Sequence, residues 1–238
     1  IDWGIHLSRM GYPVSVLSVV GEDDAGREMK AALAAEGLDI SHLRTVPGRT
    51  AVTHMELKNG TDRVHLETDD GVMEHYTLSR EEIDFAAGHT LLHTDLFGCM
   101  IPYLAEWKER GVKILIDLSV FSRDPAYRCR EIVPYTDYVF FSADGIPEED
   151  IVPWMKELKS LGPLIVTATL GERGSLSYNG QEICRCGIVP AEVVNTVGAG
   201  DSYIAGFTAG LLEGEDIPQC MQRGAALSAG VIGRFRPY

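Results

Sequence analysis

The sequence predicts an α/β fold built on a mostly parallel sheet with helices on both faces. Two observations carry that expectation. Short, nearly continuous apolar runs of strand length recur along the chain, and amphipathic runs of helical length separate them. A third observation concerns the end of the 238-residue chain. After Leu170 the alternation gives way to one antiparallel hairpin and two long helices.

The elements follow in order. VSVLSVV at 14–20 reads as a buried strand, and AGREMKAALAAEG at 25–37 as a helix closed by its glycine. TAVTHMEL at 50–57 and RVHLET at 63–68 alternate in polarity around KNGTD, which predicts a hairpin with Asn59-Gly60 in its turn. HTLLH at 89–93, KILIDL at 113–118, DYVFF at 137–141 and LIVTATL at 164–170 have the apolar continuity of strands buried on both sides. Between them MIPYLAEWKERG at 100–111, PAYRCREIVPY at 125–135 and PEEDIVPWMKELKSLG at 147–162 carry helical spacing. GSLSYNGQEICRCG at 174–187 predicts the late hairpin. One domain spanning 1–238 is expected, with residues 48–72 projecting as a β-hairpin lid.

Composition narrows the function classes. A net charge of −14 argues against a nucleic-acid partner, which needs a basic surface. Phosphate ligands stay open, because backbone amides and a bound cation supply local positive potential. No apolar run approaches the roughly 20 residues that span a bilayer, so no membrane association is expected. Five cysteines leave one unpaired in any disulfide scheme. Cys184 and Cys186 have the spacing of one strand face, and reduced thiols in a cytoplasmic protein are expected.

Ligands of an open α/β sheet bind where the carboxyl ends of strands pass into loops. The polar tips at 21–26, 93–98, 117–122, 142–144 and 170–174 are such places. The most informative stretch, NTVGAGDSYIAGF at 195–207, joins them. Gly198 and Gly200 permit a sharp turn that aims successive N–H groups outward. Ile204, Phe207 and Leu211 then have helical spacing, with Gly206 and Gly210 allowing close packing. A helix N-terminus with open amides is an anion site, suited to the charge of a transferred phosphoryl group. Asp201 at its mouth is placed to take a proton from an attacking alcohol. A helix cap is the alternative for this residue, but a simple cap needs neither glycine. TLGERGS at 169–175 is a weaker nucleotide element, since most Gly-x-x-Gly turns are only turns.

Other chemistries find no support. The sequence contains no Gly-x-x-x-x-Gly-Lys-Ser/Thr loop, no Gly-x-Gly-x-x-Gly after a strand and no Gly-x-Ser-x-Gly elbow. Its seven histidines are scattered along the chain, which gives zinc chemistry little support.

The 195–206 stretch closely resembles the C-terminal signature of the ribokinase-like (PfkB) carbohydrate kinases, Asp-Thr-x-Gly-Ala-Gly-Asp, through Thr196, Gly198, Ala199, Gly200 and Asp201. GEDDAGREMKAALAAEGLDISHL is similar to the family's Gly-x-Asp-x-x-Gly segment, with Asp23 and Gly26 in place. TLGERGS matches its nucleotide-binding strand end. The resemblance implies a three-layer α/β/α sandwich with a small β lid. It implies ATP and Mg2+ as cofactors, possible activation by K+, and a homodimer formed through the lid. GLDISHLRTVPGRTAVTHMELKNGTDRV, DGVMEHYTLSREE and VTATLGERGSLSYNG are similar to members that phosphorylate fructosamines. The implied reaction moves the γ-phosphoryl group of ATP to the 6-hydroxyl of a fructosamine such as fructoselysine. A different sugar or a nucleoside is the alternative acceptor. An inactive ligand-sensing protein on the same fold is the alternative of another class.

By the same resemblance Asp201 is the base, and the amides of Gly198, Ala199 and Gly200 form the anion hole. Thr169, Gly171, Gly174 and Thr196 contact the nucleotide. Asp2, which falls where the family has an Asn, and Asp23 contact the sugar. Asp95, Arg63 and Phe97 are candidates for the acceptor's amino-acid half or the lid, where a carboxylate and an arginine suit a free α-amino-acid group. Three departures accompany the match. The family's first strand and Gly-Gly motif have no counterpart ahead of Asp2. Asn195 stands for the first Asp of the signature, removing a charge but keeping hydrogen-bonding capacity. The Asn-x-x-Glu motif that places magnesium through water is altered: Ser142 falls at the Asn position, and Glu148 or Glu149 replaces the acid, with Glu149 taken as the metal-side residue.

Overall fold

The computed structural model describes every residue except 59–61, 98 and 235–238, and leaves out the side chains of 55, 57, 58 and 62–65. The chain divides into two compact units. One comprises Ile1–Thr77, Val189–Glu215 and Gln222–Tyr238; the other comprises Leu78–Ile188 and Asp216–Met221.

The second unit holds a six-stranded sheet. Its strands β5 (Leu91–Asp95), β6 (Lys113–Asp117), β7 (Tyr138–Ser142), β8 (Ile165–Thr169), β9 (Ser175–Tyr178) and β10 (Ile183–Cys186) lie in sequence order across it. β5 to β8 are parallel, while β9 and β10 run antiparallel to their neighbours. Ile114, Leu115 and Ile116 are all fully buried, so this strand is covered on both faces, as its unbroken apolar run requires. Helix α6 (Glu148–Ser160) lays Ile151, Trp154, Met155 and Leu158 onto Val139, Phe141, Val166 and Ala168. These apolar groups form the unit's main core. Helix α3 (Arg80–Ala87) opens on a capping box between Ser79 and Glu82, and the Ile83 carbonyl accepts a bond from the indole of Trp107 in α4 (Leu104–Glu109).

The first unit contains α1 (Asp2–Arg9), the parallel pair β1 (Ser18–Gly21) and β2 (Leu43–Val46), and α2 (Asp24–Ala35). The antiparallel pair β3 (Val52–Lys58) and β4 (Asp62–Asp69) follows. Its connecting residues, the expected Asn59-Gly60 turn, lie outside the described residues. Helix α7 (Ala199–Glu213) is almost wholly buried from Ser202 to Gly210. On one side α1 packs Leu7 against Ala205 and Ala209, and the Trp3 indole donates to Thr208. On another, α8 (Ile217–Ile232) approaches so closely that a Cβ on Gly206 would lie 2.6 Å from the Arg223 carbonyl oxygen.

Several elements differ from the sequence expectation. Of the 14–20 run only Ser18–Val20 pairs as a strand, continued by Gly21, while the residues before it make just an isolated bridge, Ser15–Asp39, and pack Val14 and Val16 against the core. The 125–135 helix is broken into short turns. Asp124 caps a first turn, Arg128 takes a left-handed backbone (φ 50°), and α5 (Cys129–Ile132) passes into a 3-10 turn at Val133–Tyr135, where Pro134 has no N–H to continue the α-helical ladder. α1, β2 and α3 were not anticipated. All five cysteines are free thiols, and no described helix is long and apolar enough to cross a membrane.

Gly206→Ala forces α7 and α8 apart, because the added methyl group meets backbone rather than a flexible side chain. A loss of about 1–3 kcal/mol is expected for such overpacking, read as a lower denaturant midpoint with an unchanged m-value.

Candidate active site

The turn before α7 is built from backbone and short polar side chains. Gly198 takes a left-handed conformation (φ 77°) as the residue preceding the helix, a conformation that glycine reaches without steric cost. Buried Asn195 stiffens the approach: its Oδ1 accepts the Val197 N–H at 3.0 Å. The Ala199 N–H bonds back to the Thr196 carbonyl at 3.2 Å. Below the turn, fully buried Ser202 donates its hydroxyl to the Gly198 carbonyl at 2.7 Å, and Ser228 of α8 donates to the Ala199 carbonyl at 3.1 Å. The amides of Gly198 and Gly200 have no recorded acceptor among the described residues, and a Cβ on Gly200 would meet only open space. A 15-residue helix concentrates partial positive charge at these amides.

Asp201 sits in the first turn of α7, half-buried, with no recorded side-chain partner among the described residues. The helix has no side-chain cap at its start, so capping is not what occupies this carboxylate. Thr196 lies half-buried in the same turn. Sequence reasoning missed Ser202 and Ser228. Neither carries a local signal, and the second acts from 29 residues away.

Asp23 has a different setting. It is the N-cap of α2, where its Oδ1 accepts the Gly26 N–H at 2.9 Å and the Thr50 hydroxyl at 2.6 Å. Its Oδ2 accepts the Thr50 N–H at 2.8 Å, while Thr50 Oγ1 accepts the Gly21 N–H at 3.0 Å. The group thereby ties the end of β1, the start of α2 and the approach to β3. Bonding from the Thr50 hydroxyl, then from the Thr50 and Gly26 amides, lowers the Asp23 carboxyl to a pKa of about 2.

The remaining candidates are dispersed. Asp2 lies half-buried in the first turn of α1, and the Arg63 side chain lies outside the described residues. In the second unit, exposed Asp95 ends β5 and its Oδ1 accepts the Phe97 N–H at 2.8 Å. Thr169 ends β8, where its carbonyl accepts the Ala143 N–H. Gly171 (φ 60°) and Gly174 (φ 83°) shape the turn into β9. A Cβ on Gly174 would lie 2.1 Å from the Cys186 carbonyl oxygen, so the hairpin itself already requires that glycine. Arg185 grips Glu148 through both terminal guanidinium nitrogens and holds its carboxyl below the ordinary range. Glu149 has no recorded partner beside it among the described residues. Those residues contain no cluster of three or more His, Cys, Asp or Glu able to hold a metal.

Comparison with known proteins identifies the class. The pfkB family carbohydrate kinase model matches residues 5–237, and the chain belongs to that family. It is a sugar kinase with the ribokinase-like α/β fold. Among characterised relatives, fructoselysine 6-kinase of Shigella flexneri is 34% identical over 98% of this chain and 87% of its own length. A fructosamine kinase of Bacillus subtilis (strain 168) is 28% identical over 99% of this chain and 84% of its own length. Among solved structures, Arabidopsis thaliana ribokinase complexed with ribose and ATP superposes with a TM-score of 0.85 at 20% identity, covering 99% of this chain and 80% of that one.

The Asp23 knot has a pH signature. Its folded pKa of about 2 lies below the ordinary 3.8, so between these values the unfolded chain binds more protons and stability rises with pH. The contribution is complete above about 3.8 and vanishes as pH falls through 2. Denaturant midpoints of wild type and Asp23→Asn should therefore differ at pH 7 and converge toward pH 2.5. A gap that persists unchanged at pH 2.5 would assign the effect to something other than this charge.

Proposed function

We propose that the protein transfers the γ-phosphoryl group of ATP to the 6-hydroxyl of a fructosamine such as fructoselysine. The observation that carries this reading is Asp201: a half-buried carboxylate without a recorded partner among the described residues, at the start of a buried helix whose leading amides at Gly198 and Gly200 have no recorded acceptor among them either. The similarity to fructoselysine and fructosamine kinases over nearly the whole chain supports the acceptor class.

The chemistry follows from these groups. Asp201 takes the proton of the acceptor hydroxyl as that oxygen attacks the γ-phosphorus. The bond from the phosphorus to the bridging oxygen breaks, and ADP leaves with the electron pair. The amides of Gly198 and Gly200 stabilise the equatorial oxygens as charge accumulates on them. The Ala199 amide joins them only by releasing Thr196. Thr196, Thr169 and the 171–174 turn serve the nucleotide. Glu149 would hold the water shell of a bound magnesium ion, which would supply charge neutralisation to the phosphates. Asp2, Arg63 and Asp95 contribute to the acceptor side. Asp23 acts chiefly as a positioning residue, because its oxygens already receive three bonds. The β3–β4 hairpin serves as a lid, and pairing of lids is the expected route to a dimer.

Asp201→Asn should lower kcat by roughly 10²-fold or more, about 3 kcal/mol of barrier, with ATP binding retained. Near-normal turnover in that variant removes Asp201 from the base role. For the acceptor, ADP release should be measured with fructoselysine, other fructosamines, fructose, ribose and adenosine. Dominant activity on a free sugar or on adenosine overturns the fructosamine assignment and leaves the kinase class standing.

A further inference from the structure

Three aromatic rings meet at the loops that leave the carboxyl ends of β5 and β6. Phe97 stands edge-on to Phe121 (centroids 5.6 Å apart, planes at 86°) and to Tyr127 (5.7 Å, 81°), while Phe121 and Tyr127 lie 4.7 Å apart. Phe121 and Tyr127 are half-buried, Tyr127 against the unit's core, while Phe97 on top of them is 59% exposed and neighbouring Val120 66% exposed. The backbone here is also strained: Ser119 adopts φ 49°, a left-handed conformation unusual for a residue with a side chain and characteristic of ligand-binding loops. Carboxyl ends of parallel strands are where ligands of this architecture bind.

Three carboxylates anchor these loops. Asp95, Asp117 and Asp124 each accept the N–H two residues ahead, on Phe97, Ser119 and Ala126 respectively. Each therefore fixes a loop that carries one of the rings and brings a carboxylate with it. The cations on these loops are committed elsewhere: Arg123 reaches the Asp150 carbonyl and lies over the Trp154 ring, and Arg128, next to Tyr127, pairs with Glu131. Ring faces together with carboxylates suit a cation that carries apolar substituents, because the quadrupole of an aromatic face attracts ammonium groups.

We infer that the Phe97–Phe121–Tyr127 triad is a recognition platform for the amine-bearing part of the acceptor, reading the protonated secondary amine and its aliphatic chain rather than the sugar ring. This rests on the fructosamine reading above. The platform supplies specificity and takes no part in phosphoryl transfer.

The test uses two matched acceptors: 1-deoxy-1-(butylamino)fructose, charged at neutral pH, and the 1-O-butyl ether of fructose, neutral and of equal length. The readout is the amine-to-ether ratio of kcat/KM for wild type, Phe97→Leu, Phe97→Tyr and Asp95→Asn. Wild type should favour the amine at least tenfold. Phe97→Leu, which keeps apolar bulk and loses the ring face, should lower the ratio roughly three- to thirty-fold. Phe97→Tyr should preserve the ratio, and Asp95→Asn, which retains the acceptor oxygen for the Phe97 amide, should lower it. A wild-type ratio near one, or a ratio that Phe97→Leu leaves unchanged, overturns the inference while fructosamine phosphorylation stands. Failure of wild type to phosphorylate any fructosamine overturns both readings.

Discussion

The structure's functional logic depends on one constraint: the first turn of α7 must be held open at its N-terminus without using its own acid to do so. A helix start normally recruits a nearby side chain to satisfy its leading amides. Here the turn is secured by other means. Asn195 stabilises the approach through its Oδ1, Gly198 supplies the left-handed backbone, and the hydroxyls of Ser202 and Ser228 bind the carbonyls of Gly198 and Ala199 from beneath. None of these contacts uses the amides of Gly198 and Gly200 or the carboxylate of Asp201. Asn195 is consistent with this division, since the task it performs needs an acceptor oxygen and not a negative charge.

Asp23 shows the opposite allocation. Its oxygens are drawn inward to Thr50 and Gly26, linking β1, α2 and the approach to β3. An acid at the end of a strand and before a helix looks from its local surroundings like a ligand-binding group. The bonds that redefine it come from a threonine 27 residues away. Two aspartates at similar places in their respective loops thus have different uses. What separates them is whether a donor from elsewhere in the fold reaches the carboxylate.

That distinction explains how much was legible before the structure. The parallel strands were visible because burial on both faces demands unbroken apolar runs, and Leu115 and Val166 show that demand directly. The α7 turn was visible because its sequence signal is local, compressed into Gly198, Gly200 and Asp201. α3 carried a readable signal, the Ser79–Glu82 capping box, which the weak apolar spacing after it obscured. Ser228 and the Thr50 knot were not readable, since each depends on a partner brought close only by folding. Glu148 and Glu149 show the same limit on a smaller scale. As adjacent acids in a helix's first turn they are equivalent in sequence, until Arg185, 37 residues onward, selects Glu148.

The separation also bears on how an acidic chain manages phosphate chemistry. With a net charge of −14, long-range attraction does not favour a polyanionic nucleotide, so the favourable terms must be short-ranged. Fixed backbone amides at a helix N-terminus meet that requirement, because their field is strong within a turn's length and adds no net charge. Such donors recognise a phosphoryl group by its geometry and are indifferent to the molecule that accepts it. Discrimination among acceptors has to come from side chains instead, on loops free to vary without disturbing the α7 turn. The exposed ring of Phe97 at the end of β5, backed by half-buried Phe121 and Tyr127, has the chemistry for that purpose.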